Sequence, residues 1–195
     1  MKARILAPAL CLLAALPAFA ETRIIAALSG DWNGDGNPDA VLLMAPQTGD
    51  IADLVVMEGD GYSGLHPVLE VPQAVWGGRF AGQTPGLEPH RDTSFILHTQ
   101  QTGIGRTPWE QRITVAWRGG NYLVAGFDTH FYDRNDPSRG GTCSVNLLTG
   151  DYMLRYGPGN EAPEIETAGR GDDRAFPLAE LTESWQPAVC APLFR

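Results

Sequence analysis

The densest set of oxygen donors in the chain lies in Gly30-Asp31-Trp32-Asn33-Gly34-Asp35-Gly36-Asn37-Pro38-Asp39. Side-chain oxygens recur at alternate positions, Asp31, Asn33 and Asp35, and again at Asp39, with the main-chain carbonyl of Asn37 in the same rhythm. A hard cation such as Ca²⁺ takes roughly six to eight oxygens at ~2.3–2.6 Å, and spacing by two lets one short loop wrap its side chains around it. Gly36 stands sixth, where such a loop turns sharply and a Cβ would collide. Three carboxylates compressed into one short loop would also repel one another without a cation. The spacing therefore predicts a Ca²⁺ site with Asp31, Asn33, Asp35 and Asp39 as side-chain ligands and Asn37 as a main-chain ligand.

Other constellations carry less. Asp128 to Asp136 is acidic but lacks the alternating spacing and the central glycine. It reads as an Asx-rich turn ahead of Pro137, with a second calcium site as the open alternative. Of the four histidines, His66, His90, His98 and His130, His90 could offer a base with an orienting carboxylate in His90-Arg91-Asp92. Neighbours in sequence seldom meet in the geometry that a base and its orienting acid need. His98 alternates with apolar Phe95 and Leu97 and reads as a strand histidine. No G-x-S-x-G, H-E-x-x-H or C-x-x-C pattern occurs, so no catalytic residue is assigned. Among the tryptophans, Trp32 is expected beneath the acidic loop and Trp117 in a sheet. Trp76, in a Gly-rich stretch, is the candidate for an exposed binding aromatic.

Residues 1–20 have a basic start (Lys2, Arg4), an apolar run and an Ala18-Phe19-Ala20 end, the pattern of a cleaved export signal. The run is too short and too Pro-punctuated to span a bilayer, and no later stretch is apolar enough, so no membrane span is expected after cleavage. The expected mature chain, 21–195, is one periplasmic or secreted domain. Cleavage removes Cys11 and leaves Cys143 and Cys190, which in an oxidising compartment most simply form one disulfide. It also removes Lys2 and Arg4 but no acidic residue, leaving an excess of Asp and Glu over Arg larger than the −9 of the whole chain. Such a balance argues against nucleic acid as a partner.

The elements that must position these groups are short and β-rich. Gly (23) and Pro (15) make up about a fifth of the chain, which points to many turns rather than a helical bundle. Apolar runs at Ile24–Leu28, Ala40–Ala45, Leu54–Met57, Phe95–Leu97 and Ile113–Trp117 are bounded by Gly, Pro, Asp or Asn. Arg112–Arg118 and Asn121–Phe127 flank Gly119-Gly120 as a tight hairpin, and Ser144–Leu148 and Tyr152–Arg155 form a second candidate pair. Stretches 77–92 and 157–173 read as loops. Pro177–Ser184 reads as one short helix with Leu178 and Leu181 on a common face. The fold expected is all-β or β-dominated, of antiparallel hairpins arranged either propeller-like or as two packed sheets, with one short C-terminal helix.

The D-x-N-x-D-G-x-x-D loop between two strands resembles the calcium loop of the FG-GAP and VCBS repeat families of β-propeller blades. An EF-hand would need a bidentate Glu at its twelfth position and flanking helices, whereas Leu42 stands there. The resemblance implies the same ligands, Asp31, Asn33, Asp35, Asn37 and Asp39. The segment 95–150, with Ile104-Gly105-Arg106, Trp109-Glu110 and Cys143–Gly150, also resembles a group of short secreted proteobacterial proteins. The function expected is a non-catalytic, calcium-binding β-domain acting as an interaction protein in the cell envelope. One alternative is an inhibitor of lysozyme or of a peptidoglycan hydrolase. The chain is similar to some periplasmic lysozyme-inhibitor families that pair a propeller-like β fold with an EF-type calcium loop, and its acidic surface would steer a basic envelope protein such as a lysozyme toward it. A second alternative is a calcium-dependent envelope hydrolase.

Overall fold

The computed structural model describes residues 23–45, 49–78 and 80–194. The expected signal segment therefore lies outside the described residues. Two antiparallel sheets follow one another along the chain, each a run of sequential neighbours. The first contains β1 (Ile24–Gly30), β2 (Asp39–Met44), β3 (Ile51–Gly59) and β4 (Leu65–Trp76), in that order. The second runs through β5 (Gly86–Arg91), β6 (Ser94–Gln101), β7 (Trp109–Arg118), β8 (Asn121–Tyr132), β9 (Arg139–Asn146), β10 (Asp151–Pro158) and β11 (Ile165–Arg170). A two-residue strand, β12 (Phe176–Pro177), adds to β8. The fold is β-dominated as expected, and of the two arrangements considered it is the pair of sheets.

Alternation decides which faces turn inward. Ala52, Leu54 and Val56 of β3, Phe95 and Leu97 of β6, Ile113 and Val115 of β7, and Val124 and Phe127 of β8 are all buried in one apolar core that spans both sheets. The β7–β8 hairpin closes through Gly119 and Gly120, both with positive φ (58° and 82°), as a primed two-residue turn requires. The second candidate hairpin is β9–β10, whose turn buries Leu147.

Three strands lie where loops or nothing was expected, β4, β5 and β11. Each lacks the apolar alternation that marks a strand. Pro67 and Pro72 interrupt β4 and Pro89 interrupts β5, while all six residues of β11 are exposed. All three sit at sheet ends, where proline and a wet face are tolerated. The C-terminal helix is shorter than expected and of a tighter kind. Pro177 belongs to β12, a 3₁₀ turn spans Leu178–Glu180, and a second covers Ala188–Phe194. Leu178 and Leu181 are both buried, because residues three apart eclipse in a 3₁₀ turn. The segment carries no further apolar residues at helical spacing to extend that face.

Cys143 of β9 and Cys190 of the second 3₁₀ element form the expected disulfide, both essentially inaccessible, with Cα atoms 5.7 Å apart. No helix among the described residues is long and apolar enough to cross a membrane.

Candidate metal centre

The β1–β2 connection, Asp31 to Pro38, is held together by its own side chains. The Asp31 carboxylate accepts the backbone N–H groups of Gly34 (2.8 Å) and Asp35 (3.0 Å) on one oxygen and that of Gly36 (2.9 Å) on the other. Gly34 and Gly36 both take positive φ (76° and 89°), which bends the loop back over Asp31. Asn33 Oδ1 accepts the Asp35 amide at 2.9 Å, and its Nδ2 donates to Asp35 Oδ2 at 3.1 Å. Asp35 Oδ1 accepts the Asn37 amide at 2.7 Å, and that bond is the main reason its carboxyl lies below the usual carboxylate range. Asp31, Asn33, Asp35 and Asn37 are thus brought together by direct hydrogen bonds.

Asp39 has a different position. It is 1% exposed, at the start of β2. Its Oδ2 accepts the amides of Trp32 (2.8 Å) and Asn33 (3.3 Å), and its Oδ1 accepts the amide of Gly59 (3.1 Å) at the end of β3. A buried carboxylate with three backbone donors fastens the loop to the neighbouring hairpin. The sequence offers no direct sign of this role, because Gly59 is far along the chain. Only the Gly-Asp-Gly turn signal at 59–61 marks the partner.

Trp32 packs edge-on against Phe95 of the second sheet, ring centroids 5.6 Å apart, as expected for an aromatic beneath the loop. A Cβ on Gly30 would stand 2.5 Å from the Trp32 ring, so glycine there lets the indole lie over the backbone. The β3–β4 turn leans on the loop from the other side, since a Cβ on Gly61 would meet Asn37 Oδ1 at 2.5 Å. Beside it, Glu58 accepts the Tyr122 hydroxyl at 2.9 Å. Burial, followed by that bond, pushes the Tyr122 phenol well above its ordinary pKa.

The donor set suits a hard cation by chemistry. A carboxylate offers about four lone-pair sites and an amide oxygen two. Asp31 and Asp39 each use three of theirs and Asp35 two, and Asn33 Oδ1 uses one, so every predicted side-chain ligand retains a lone pair for an ion. Among the described residues, no three His, Cys, Asp or Glu side chains are grouped so that they could hold a metal ion. An ion would draw the oxygens of Asp31, Asn33 and Asp35 together from their present hydrogen bonds.

The remaining candidates separate cleanly. Asp136 accepts the Ser138 amide and hydroxyl (3.1 and 2.6 Å) and the Asn160 amide (2.8 Å), and Asp133 pairs with Arg106 at 2.8 Å. The Asp136–Ser138 amide bond is that of an Asx turn. His90 lies on β5, and His130 lies near Tyr132, ring centroids 5.9 Å apart. A Ser/His/Asp cluster that sequence reading passed over does occur in the β3–β4 turn. Ser63 Oγ bonds Asp60 Oδ2 and lies 2.8 Å from His66 Nε2. The order is wrong for an activated nucleophile. Ser63 donates its hydroxyl hydrogen to Asp60, so that hydrogen is turned away from His66 as a base. The Ser63 hydroxyl, helped by the Tyr62 and Ser63 amides, holds Asp60 far below the usual carboxylate range.

Compared with known proteins, the chain matches no family model, no curated protein and no solved structure.

Proposed function

We propose that the chain is a calcium-binding β-domain of the cell envelope that works through its surface rather than by catalysis, with the ion held by Asp31, Asn33, Asp35, the main chain of Asn37, and Asp39. The observation that carries the reading is the capping of three consecutive loop amides, Gly34 to Gly36, by the single Asp31 carboxylate. That capping bends the loop back over Asp31, and the hydrogen-bond count leaves lone pairs on the predicted ligands for one ion. The FG-GAP and VCBS likeness of the same residues supports it. An ion held at the affinity of extracellular modules is structural rather than a cytosolic-type signal.

Extracellular calcium modules bind at roughly 10⁻⁴–10⁻³ M. At 10 mM Ca²⁺ the native state then gains about 1.4–2.7 kcal/mol by mass action, which raises the Tm of a domain of this size by about 3–10 °C. The test is thermal unfolding of the mature chain in EDTA and in 10 mM CaCl₂, with Asp35→Asn alongside. The native protein should show the rise and the variant should not. Superimposable melting curves for the native protein in the two buffers would remove the proposal.

A further inference from the structure

A second surface feature shares no residue with the acidic loop. The end of β4, the 80–83 turn, the β6–β7 loop and the segment after Leu181 enclose a cleft of about 480 Å³. Trp76, Phe80 and Trp109 supply its aromatic wall, and Asp50, Gln83, Gln101 and Glu183 its polar groups. The volume falls within the roughly 300–1,000 Å³ of small-ligand sites, and a mostly apolar wall with a few polar groups is their usual composition.

The cleft is preformed. Thr102 N–H donates to Gly82 O at 2.8 Å, Gln83 N–H to Phe80 O at 3.1 Å, and Glu183 N–H to Gln73 O at 3.1 Å, so the loops that form its walls are tied to one another and to β4. Gly82 and Gly103 allow the two loops to touch, since a Cβ on Gly82 would stand 2.6 Å from Gly103 N. The Trp76 carbonyl accepts the Thr99 hydroxyl at 2.8 Å, and the Trp76 indole N–H, buried behind Gly78 and Gln83, has no acceptor. Packing alone therefore holds that ring in place. Phe80 is 68% exposed despite its apolar side chain.

The polar groups decide which ligand this cleft suits. The described lining carries two carboxylates, Asp50 and Glu183, which repel a phosphate or carboxylate ligand. An ammonium ion would use the aromatic faces and the carboxylates but would have no use for the N–H donors of Gln83 and Gln101. Hydroxyl groups both donate and accept, as the Gln83 and Gln101 amides do, and the C–H face of a pyranose covers an indole or phenyl ring. We infer that the Trp76–Phe80–Trp109 cleft binds a neutral saccharide, stacked on the aromatic rings and hydrogen-bonded to Gln83, Gln101 and Glu183.

The experiment titrates the mature protein with chitotriose, cellotriose and maltotriose, read by saturation-transfer NMR and tryptophan fluorescence, with tetramethylammonium and inorganic phosphate as comparison probes. At least one trisaccharide should bind saturably. Its affinity should fall tenfold or more in Trp109→Ala and severalfold in Phe80→Ala, while EDTA leaves it unchanged. Phe80 is exposed, so its variant folds even if the Trp109 variant does not. Three outcomes would each overturn the inference: no trisaccharide binds the folded native protein, binding persists unchanged in Phe80→Ala, or tetramethylammonium or phosphate binds in place of the sugars.

Discussion

Replacing Asp39 with Asn separates two roles that one carboxylate can hold. The substitution keeps the shape of the side chain and removes one acceptor oxygen. The Asn carbonyl can take the place of Oδ2 and still accept the Trp32 and Asn33 amides, but its NH₂ then faces the Gly59 N–H, donor against donor. The lost bond went to a charged acceptor, worth about 1.5–3 kcal/mol, and Gly59 is left with a buried N–H that costs about 1–3 kcal/mol when unmet. Because these figures overlap, the expected loss is about 3 kcal/mol, or about 6–12 °C in Tm for a domain of this size. The assay is thermal and urea unfolding in EDTA, followed by tryptophan fluorescence. The loss must appear without calcium, since it arises from backbone amides and not from an ion. A variant melting within about 2 °C of the native protein in EDTA would refute the assignment of Asp39 as a fastening for the β3 end. A loss seen only in the presence of calcium would show that Asp39 acts as a ligand alone.

The other expectations concern the frame around the loop. Reduction of Cys143–Cys190, which are 47 residues apart, should lower stability by about 4 kcal/mol on the chain-entropy model, and unfolding with and without reductant reads it directly. Gly30→Ala places a methyl group 2.5 Å from the Trp32 ring and should cost about 1–3 kcal/mol through overpacking, measured by denaturant midpoint. The pH profile follows Asp133, whose carboxyl is held below its ordinary value chiefly by the Arg106 hydrogen bond. A pKa lowered on folding contributes stability that is fully present above the unfolded value, near 4, and is lost as pH falls through the folded value. Tm should therefore decline below about pH 4, less steeply in Arg106→Gln.

What could be read from the residues in advance was whatever rests on local pattern. The alternation of Ile113, Val115 and Val124 with their neighbours, and the paired glycines at 119–120, describe the β7–β8 hairpin almost by themselves. The Cys143–Cys190 disulfide, too, was expected from the cysteine count and the export-signal pattern. Hidden from that reading were the strands whose stability comes from a neighbour. β11 is exposed on every residue and exists because β10 offers a hydrogen-bonding edge, with Arg155–Glu166 and Arg170–Asp151 pairs laid across it. β4 carries two prolines and follows β3 through two shifts of register. The loop's spacing was legible, and the function of its last member was not, because a carboxylate's partner across a sheet leaves no mark at its own position.

The place of the acidic loop in the fold bears on what an ion there could do. Trp32 enters the shared core against Phe95, Asp39 grips the end of β3, and Gly34 lies against Thr93 in the β5–β6 turn. The loop thus touches both sheets where they meet. Any change that orders its oxygens shifts the anchoring of the first sheet and its packing on the second together. Stabilisation there should accordingly register in the global unfolding of the chain rather than in local fraying, and for that reason Tm, rather than a local probe, is the measurement on which the calcium reading stands.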